Sequence, residues 1–366
     1  MQNNIRSQSL DLLRFPLAIV VLSLHVFSTT GVMLNGSIVQ TQLLPDVQCF
    51  IDVFLRGQSV PVYYFISGYV FFLGIELTKR TFVKKLKNRI KTLLIPYFVW
   101  NIIAILITIG VSYVAFNGTT NKYSLDLSIT NLMNCFWDYD GGLVGKNISY
   151  GIPILGPTWF LRDLMVVVIF TPILNKLLVG KYGIVSICLF AIFWLYSNLF
   201  GLSVYMPSSA LFFFSLGAFM STNKMDMIQT FGSANFVSVI LYTILSVFLY
   251  FLHNSDKTML YSGLKLINIF IGLIVLFNLS VYLLKNGYCK VNKLLSSSSL
   301  FIYISHMLIC GRILKLIFVA IEPQSQVAIF ACYIATIFIT LILLMSIFIT
   351  MKRYTPKFLT FITGRK

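Results

Sequence analysis

Charge is what this chain has least of. Asp, Glu, Lys and Arg together make up 11% of its 366 residues, less than half the roughly 25% usual in a soluble domain. There are 11 acidic residues and 3 histidines, so each one that falls in an apolar stretch carries information. The six cysteines (Cys49, Cys135, Cys188, Cys289, Cys310, Cys332) form no C-x-x-C pair and no metal-like cluster. A Walker loop, a G-x-S-x-G elbow, an H-E-x-x-H motif and an acidic metal cluster are all missing. These absences leave metal-dependent or ATP-driven chemistry unsupported, and no metal site is expected. No internal repeat, low-complexity tail or appended soluble domain is visible.

What fills the chain is apolar. Hydrophobic residues reach 58% and aromatic residues 15%, and the mean hydropathy is +0.86. No soluble interior could hide that much apolar surface, so the composition predicts an all-α, polytopic integral membrane bundle. Crossing about 30 Å of hydrocarbon takes about 20 apolar residues. Ten stretches qualify: 10–30, 59–77, 92–116, 158–179, 184–202, 205–222, 236–252, 264–284, 300–320 and 327–351. Asn117-Gly118, Gly141-Gly142, Gly156-Pro157, Gly180, Asn254 and Pro323 break the chain between them. The first stretch holds Asp11, Arg14 and His25 and lacks a small-residue cleavage site after it, which reads as a retained span and not a signal peptide.

The net charge of +17 is explained by where the basic residues lie. With the N-terminus in the cytoplasm and alternating spans, cytoplasmic segments hold nineteen Lys and Arg, and outer loops hold four (Arg56, Lys122, Lys146, Lys257). That asymmetry follows the positive-inside rule, so both termini are expected in the cytoplasm and the protein in the cell inner (cytoplasmic) membrane, in contact with lipid. Nucleic acid is not expected as a partner, since no soluble basic domain exists to bind it. The outer loop 117–157 is rich in Asn, Tyr, Trp and Gly; its aromatics fit sugar stacking and an interfacial belt equally well. Cys49 and Cys135 both fall in expected outer loops, where an oxidising compartment would let them pair. The sequons at Asn35, Asn117 and Asn147 read as chance.

Ionisable groups inside spans cost about 2.5–3.5 kcal/mol or more, and they normally face the bundle interior. Arg14 and His25 lie eleven residues apart, which brings them back to nearly one azimuth with a rise of about 16 Å. Asp11 shares that face. Arg162 and Asp163 open the fourth span in GPTWFLRDL, at a depth expected to match His25. Asp163 could orient a neighbouring cation, and Arg162 could stabilise an oxyanion or hold an acceptor hydroxyl. The ninth span, SLFIYISHMLICGRILK, places His306 about six residues above its cytoplasmic end, with Ser305 on the face of Arg312. Plainer readings stand beside these: a snorkelling anchor for Arg14, an interhelical hydrogen bond for His25 or His306, and a structural ion pair for Arg162 and Asp163. The run KRTFVKKLKNRIK at 79–91 presents a cationic face suited to phosphates, to anionic lipid or to topogenic anchoring.

In combination, LDLLRFPLAIVVLSLH with its R-x10-H spacing, VPVYYFISGYVFF, RIKTLLIPYFVW, GPTWFLRDL and FIYISH resemble the membrane acyltransferase-3 family over nearly the whole chain. These are bacterial O-acyltransferases acting on cell-surface glycans. The resemblance implies a single transmembrane acyltransferase domain over 1–366, without the hydrolase-like C-terminal domain that some members carry. It implies acetyl-CoA or another short acyl-CoA as cytoplasmic co-substrate, a cell-surface glycan or lipid-linked sugar as acceptor, and no bound cofactor. His25 then becomes the catalytic base or acyl relay, with Arg162 and Asp163 as its catalytic partners. Arg14, Lys87, Arg89 and Lys91 hold the donor; Asp11, Trp159, Ser305 and His306 support. Many members carry R-x-x-R before the helix-3 proline, whereas here Arg89 is followed by Thr92 and Lys91 is the nearby substitute. A secondary transporter or exporter of a glycan or small molecule is the competing class, and a membrane scaffold is a third.

Overall fold

Proline, glycine and the capping residues decide where each apolar stretch becomes a helix. The computed structural model describes residues 2–28, 33–34, 37–38, 43–74, 77–116, 119–120, 123–124, 126–138, 143, 151–202, 207–231, 236–253 and 259–364. The order is α1 (Gln2–Phe27), α2 (Leu43–Ile51), a π-helical turn (Asp52–Arg56), α3 (Ser59–Phe72), α4 (Lys79–Arg89), a second π turn (Ile90–Leu94), α5 (Ile95–Phe116) and α6 (Ile129–Trp137). There follow α7 (Trp159–Ile169), α8 (Thr171–Leu177), α9 (Lys181–Leu199), α10 (Ser208–Thr222), α11 (Met227–Phe231) and α12 (Phe236–Leu252). The last four are α13 (Met259–Lys285), α14 (Lys293–Ile321), α15 (Gln326–Tyr354) and α16 (Pro356–Thr363). Two antiparallel ladders of two residues per strand, Met33–Leu34 with Ser37–Ile38 and Thr119–Thr120 with Tyr123–Ser124, are small additions to an α-helical bundle.

Each of the ten expected stretches contains helix, but they differ in reach. Six helical stretches among the described residues are long and apolar enough to cross a membrane: Ile5–Phe27, Lys79–Tyr113, Lys181–Leu199, Met259–Lys285, Lys293–Ile321 and Gln326–Tyr354. A seventh crossing results if Gly156–Ile169 and Thr171–Leu177, bent by 62° between them, form one span. Pro172 explains the bend: it cannot donate into the preceding turn, and it restricts Thr171. The expected spans 59–77, 205–222 and 236–252 became helices of 14, 15 and 17 residues, below a straight crossing. α3 stops at Phe72 because Leu73 turns extended and Gly74 takes φ +67, a left-handed stop.

Helices α3 and α10 are pressed backbone to backbone. A Cβ on Gly68 would meet the Phe214 carbonyl oxygen at 1.9 Å, and one on Gly217 would meet the Phe65 carbonyl oxygen at 2.1 Å. Small residues at a helix crossing permit this approach in an apolar environment, where van der Waals contact drives association. Around the crossing lies the main core, with Tyr64, Phe65, Phe213, Phe214 and Phe277 fully buried. A second cluster joins Leu22 of α1 to Leu314 and Phe318 of α14 and Tyr333 of α15.

Two readings of the sequence meet the structure here. Cys49 and Cys135 are both buried, Cys49 with Val53, Leu249 and Tyr261, Cys135 with Ile105 and Leu143, and form no disulfide with each other. His306 stands thirteen residues beyond the start of α14 at Lys293, near mid-helix and not close to its end. The serine run 296–299 lies ahead of the expected span 300–320, yet it is helical, because Asn292 caps the helix before it by accepting from the Leu294 and Leu295 amides at 2.9 and 3.3 Å. The breakers Asn117-Gly118, Gly141-Gly142 and Asn254, the cations Lys122, Lys146 and Lys257, and the three sequons lie outside the described residues.

Candidate active site

The basic run 79–91 folds as α4 and the first two residues of the second π turn. Thr78 caps α4 with a reciprocal pair: its hydroxyl accepts from the Thr81 amide at 3.3 Å, and its own amide donates to the Thr81 hydroxyl at 2.8 Å. No residue of α4 is buried, which leaves its cations free to line a mouth. That mouth is a cavity of about 740 Å³ bordered by Arg14, Lys84, Lys85, Lys87, Arg89 and Lys91. Phe71 orients two of them, with Lys85 Nζ 4.8 Å and the Arg89 guanidinium 5.8 Å from its ring centre. All four expected donor-side cations, Arg14, Lys87, Arg89 and Lys91, therefore border one hollow. Arg14 is paired with Asp11 at 2.5 Å, as their spacing implied, and its carbonyl accepts from the Tyr63 hydroxyl at 2.6 Å.

Deeper in, a smaller chamber of about 130 Å³ shares Arg14, Arg89 and Thr92 with the mouth and adds Tyr63, Tyr303 and Thr363. Beyond Tyr303 opens a third chamber of about 330 Å³, whose wall carries Tyr303, His25, Trp159, Asp52 and Lys265. His25, Leu24 and Asp52 also border a fourth, of about 390 Å³, with Gln48, Cys49 and His253. Each of the four hollows shares wall residues with the next, and Tyr303 is the residue common to the second and third. Arg14 and His25 of α1 thus border hollows on either side of Tyr303.

Across the α1–α14 contact, the His25 and His306 rings lie 5.1 Å apart and tilted by 37°. His306 Nδ1 sits 3.0 Å from the Ile302 carbonyl oxygen, which can only accept. Nδ1 therefore carries the proton and Nε2 keeps its lone pair; Nε2 is buried with no hydrogen-bond partner in the structure. Trp159 reaches the His25 chamber because its turn is tied down by Asn101, which is buried in α5. Asn101 donates to Thr158 Oγ1 at 3.0 Å and accepts from the Leu155 amide at 3.1 Å.

Other residues of interest lie elsewhere. Arg162 donates to Asp163 at 2.9 Å, donates to the Trp137 carbonyl and covers the Trp137 ring at 5.1 Å. Neither Arg162 nor Asp163 is in the lining of the four chambers; their ion pair lies within α7, and Arg162 ties that helix to α6. Ser305 is buried and donates to the Phe301 carbonyl at 2.6 Å, within its own helix, while Arg312 is exposed, so their shared azimuth does not give a shared environment.

Sequence reasoning missed Lys265 and Asp52, which pair with each other in the wall of the His25 chamber. The signal for Lys265 was present, since it is a cation inside the apolar stretch 264–284. Asp52 falls between the expected spans 10–30 and 59–77, where an acid carries no signal, but it begins a π turn, a geometry often found at functional sites. Tyr63 and Tyr303 were unmarked because an aromatic at helical spacing normally means core.

Comparison with curated proteins and with solved structures returned no match. A protein-family model does match, over residues 7–345, and its description is an acyltransferase domain of family 3.

Proposed function

The chain belongs to that family of membrane acyltransferases, and on this premise we propose that it moves an acetyl or other short acyl group from cytoplasmic acyl-CoA to a hydroxyl of a cell-surface glycan or lipid-linked sugar. The observation that carries this reading is the series of chambers from a cationic mouth, past Tyr303, to a paired imidazole. Phosphates suit the mouth, because Lys and Arg bind them through charge-assisted hydrogen bonds. A slim arm suits the second chamber, which at about 130 Å³ is far narrower than the mouth. The third chamber suits a sugar: Trp159 in its wall supplies an aromatic surface, and Asn198, Asp52 and Lys265 offer polar groups.

In this mechanism His25 accepts the proton of the acceptor hydroxyl as its oxygen attacks the thioester carbonyl. The tetrahedral intermediate collapses with cleavage of the C–S bond, and the departing thiolate takes the proton back from the His25 imidazolium. The products are the O-acyl ester and free CoA. His306, neutral with an Nε2 lone pair, steadies the charged imidazole beside it. Arg162 and Asp163 act at one remove, by holding the start of α7 from which Trp159 projects. Both termini lie in the cytoplasm of an inner-membrane protein, as the distribution of cations supports.

Purified protein given radiolabelled acetyl-CoA and a hydroxyl-bearing oligosaccharide should yield labelled ester and free thiol. Label that stays on CoA while sugar crosses a vesicle membrane would instead identify a transporter. Charge reversal at Arg89 (Arg89→Glu) is expected to raise the KM for acyl-CoA tenfold or more, with the acceptor KM moving less than twofold. Initial rates with each substrate varied in turn decide it, and the opposite pattern would detach the mouth from the donor.

A further inference from the structure

Asp52 and Lys265, the ion pair in the wall of the His25 chamber, have no part in the proton transfer described above. Lys265 lies in the second turn of α13, inside an apolar span, where a cation is expensive and normally serves a purpose. The π turn that carries Asp52 is fixed by uncharged groups. Asn268 Nδ2 donates to the Val53 carbonyl at 3.1 Å, the Tyr242 hydroxyl donates to the Phe54 carbonyl at 2.6 Å, and Gln58 Nε2 donates to that hydroxyl at 2.8 Å. Gly57, just past the turn, packs so tightly on α13 that a Cβ there would meet Ile269 Cγ1 at 2.8 Å.

The pair instead borders open space. Its side chains keep 19% (Asp52) and 28% (Lys265) of their surface exposed. Both border the chamber of about 330 Å³, and Asp52 borders the fourth hollow as well. Among the described residues, no other Asp, Glu, Lys or Arg borders either hollow. Paired, the two groups cancel in charge yet keep hydrogen-bonding capacity: a carboxylate has about four acceptor sites and an ammonium three donors, and their mutual bond uses one of each. That is a surface for hydroxyl groups. A sugar carboxylate entering the same space meets the Asp52 charge and finds Lys265 already neutralised.

We propose that the acceptor is an uncharged sugar and that Asp52 is the residue that excludes acidic ones, by holding Lys265 back from a uronic-acid carboxylate. The inference rests on the reading of the third chamber as the acceptor site and adds to it the charge class of the acceptor.

Two probes that differ only at C6, methyl glucoside and methyl glucuronoside, test it with full-length protein in detergent. Their relative kcat/KM is read from thiol release with acetyl-CoA, and their relative affinity from tryptophan fluorescence, since Trp159 and Trp194 border the chamber. Wild type should favour the neutral glycoside. Asp52→Asn leaves Lys265 unneutralised, so the acidic-to-neutral ratio should rise about tenfold or more, the scale of one hydrogen bond between charged groups. Lys265→Gln leaves the carboxylate alone and should lower that ratio. The double variant, again without net charge at the pair, should return the ratio to within about threefold of wild type. Opposite shifts that cancel are the signature of charge, because a pair that only held helices together would weaken both glycosides alike in all three variants. Ratios that do not move in Asp52→Asn, or that move the same way in both single variants, would overturn the assignment, as would a wild type that favours the glucuronoside or binds neither. A wild type that shows the expected ratios by fluorescence yet leaves acetyl-CoA intact would sink the acyl-transfer reading alone.

Discussion

His25→Ala should lower acyl transfer by about 10²- to 10⁴-fold, the usual contribution of a positioned general base. The side chain stands in the wall of two chambers at once, so its loss removes the group that can take a proton from an alcohol entering them. Stability should change little: His25 is only partly buried, and the α1–α14 contact it joins is supported by Leu22, Leu314 and Phe318, which are. The measurement is release of free thiol from acyl-CoA in the presence of acceptor, alongside a melting curve in detergent. Turnover within threefold of wild type would remove His25 from the chemistry. The partner imidazole separates two roles. If His306 steadies charge, His306→Gln should keep part of the activity and shift its pH profile, whereas the same substitution at His25 should abolish activity at every pH.

The second large effect is structural. Gly68→Ala or Gly217→Ala would each drive a methyl group into the carbonyl of the facing helix, at 1.9 and 2.1 Å respectively. Overpacking of this kind costs about 1–3 kcal/mol, and here the obstacle is backbone, which cannot rotate away. Both substitutions are relieved by the same movement, a separation of α3 from α10. The double variant should therefore lose clearly less stability than the two single losses added together. Melting temperatures of the three variants in one detergent decide this, and strict additivity would mean that the two contacts yield independently. Leucine at either position should prevent assembly of the bundle.

Some of this was legible in the chain and some was not, for reasons that can be named. The Asp11–Arg14–His25 stripe followed from angular arithmetic, because α1 is a continuous helix in which a hundred degrees per residue holds. The basic run 79–91 marked the mouth because nothing apolar competes for those side chains. Hydropathy failed where polar residues are helical: α14 starts at Lys293 and carries Ser296–Ser299 in its first two turns, ahead of the apolar stretch 300–320, which displaced His306 by two turns. It failed again at Pro172, a break inside an apolar run, and at Gly74, which stops α3 short. Pairing across the fold was the least legible level. Asp52 and Lys265 are 213 residues apart, and no local pattern in either segment announces the other. The same holds for Gly364 and Thr92, whose contact joins the last described residue to a turn near the first quarter of the chain.

Tyr303 is the residue that the second and third hollows have in common. If both hollows fill with water from their own sides, the insulating layer is thinnest at that residue, well short of the about 30 Å of hydrocarbon around it. A membrane voltage would then be concentrated there, and an elementary charge moved through 100 mV would gain or lose about 2.3 kcal/mol. Acyl transfer across that point would then respond to the energised state of the cell as well as to the concentrations of its reactants.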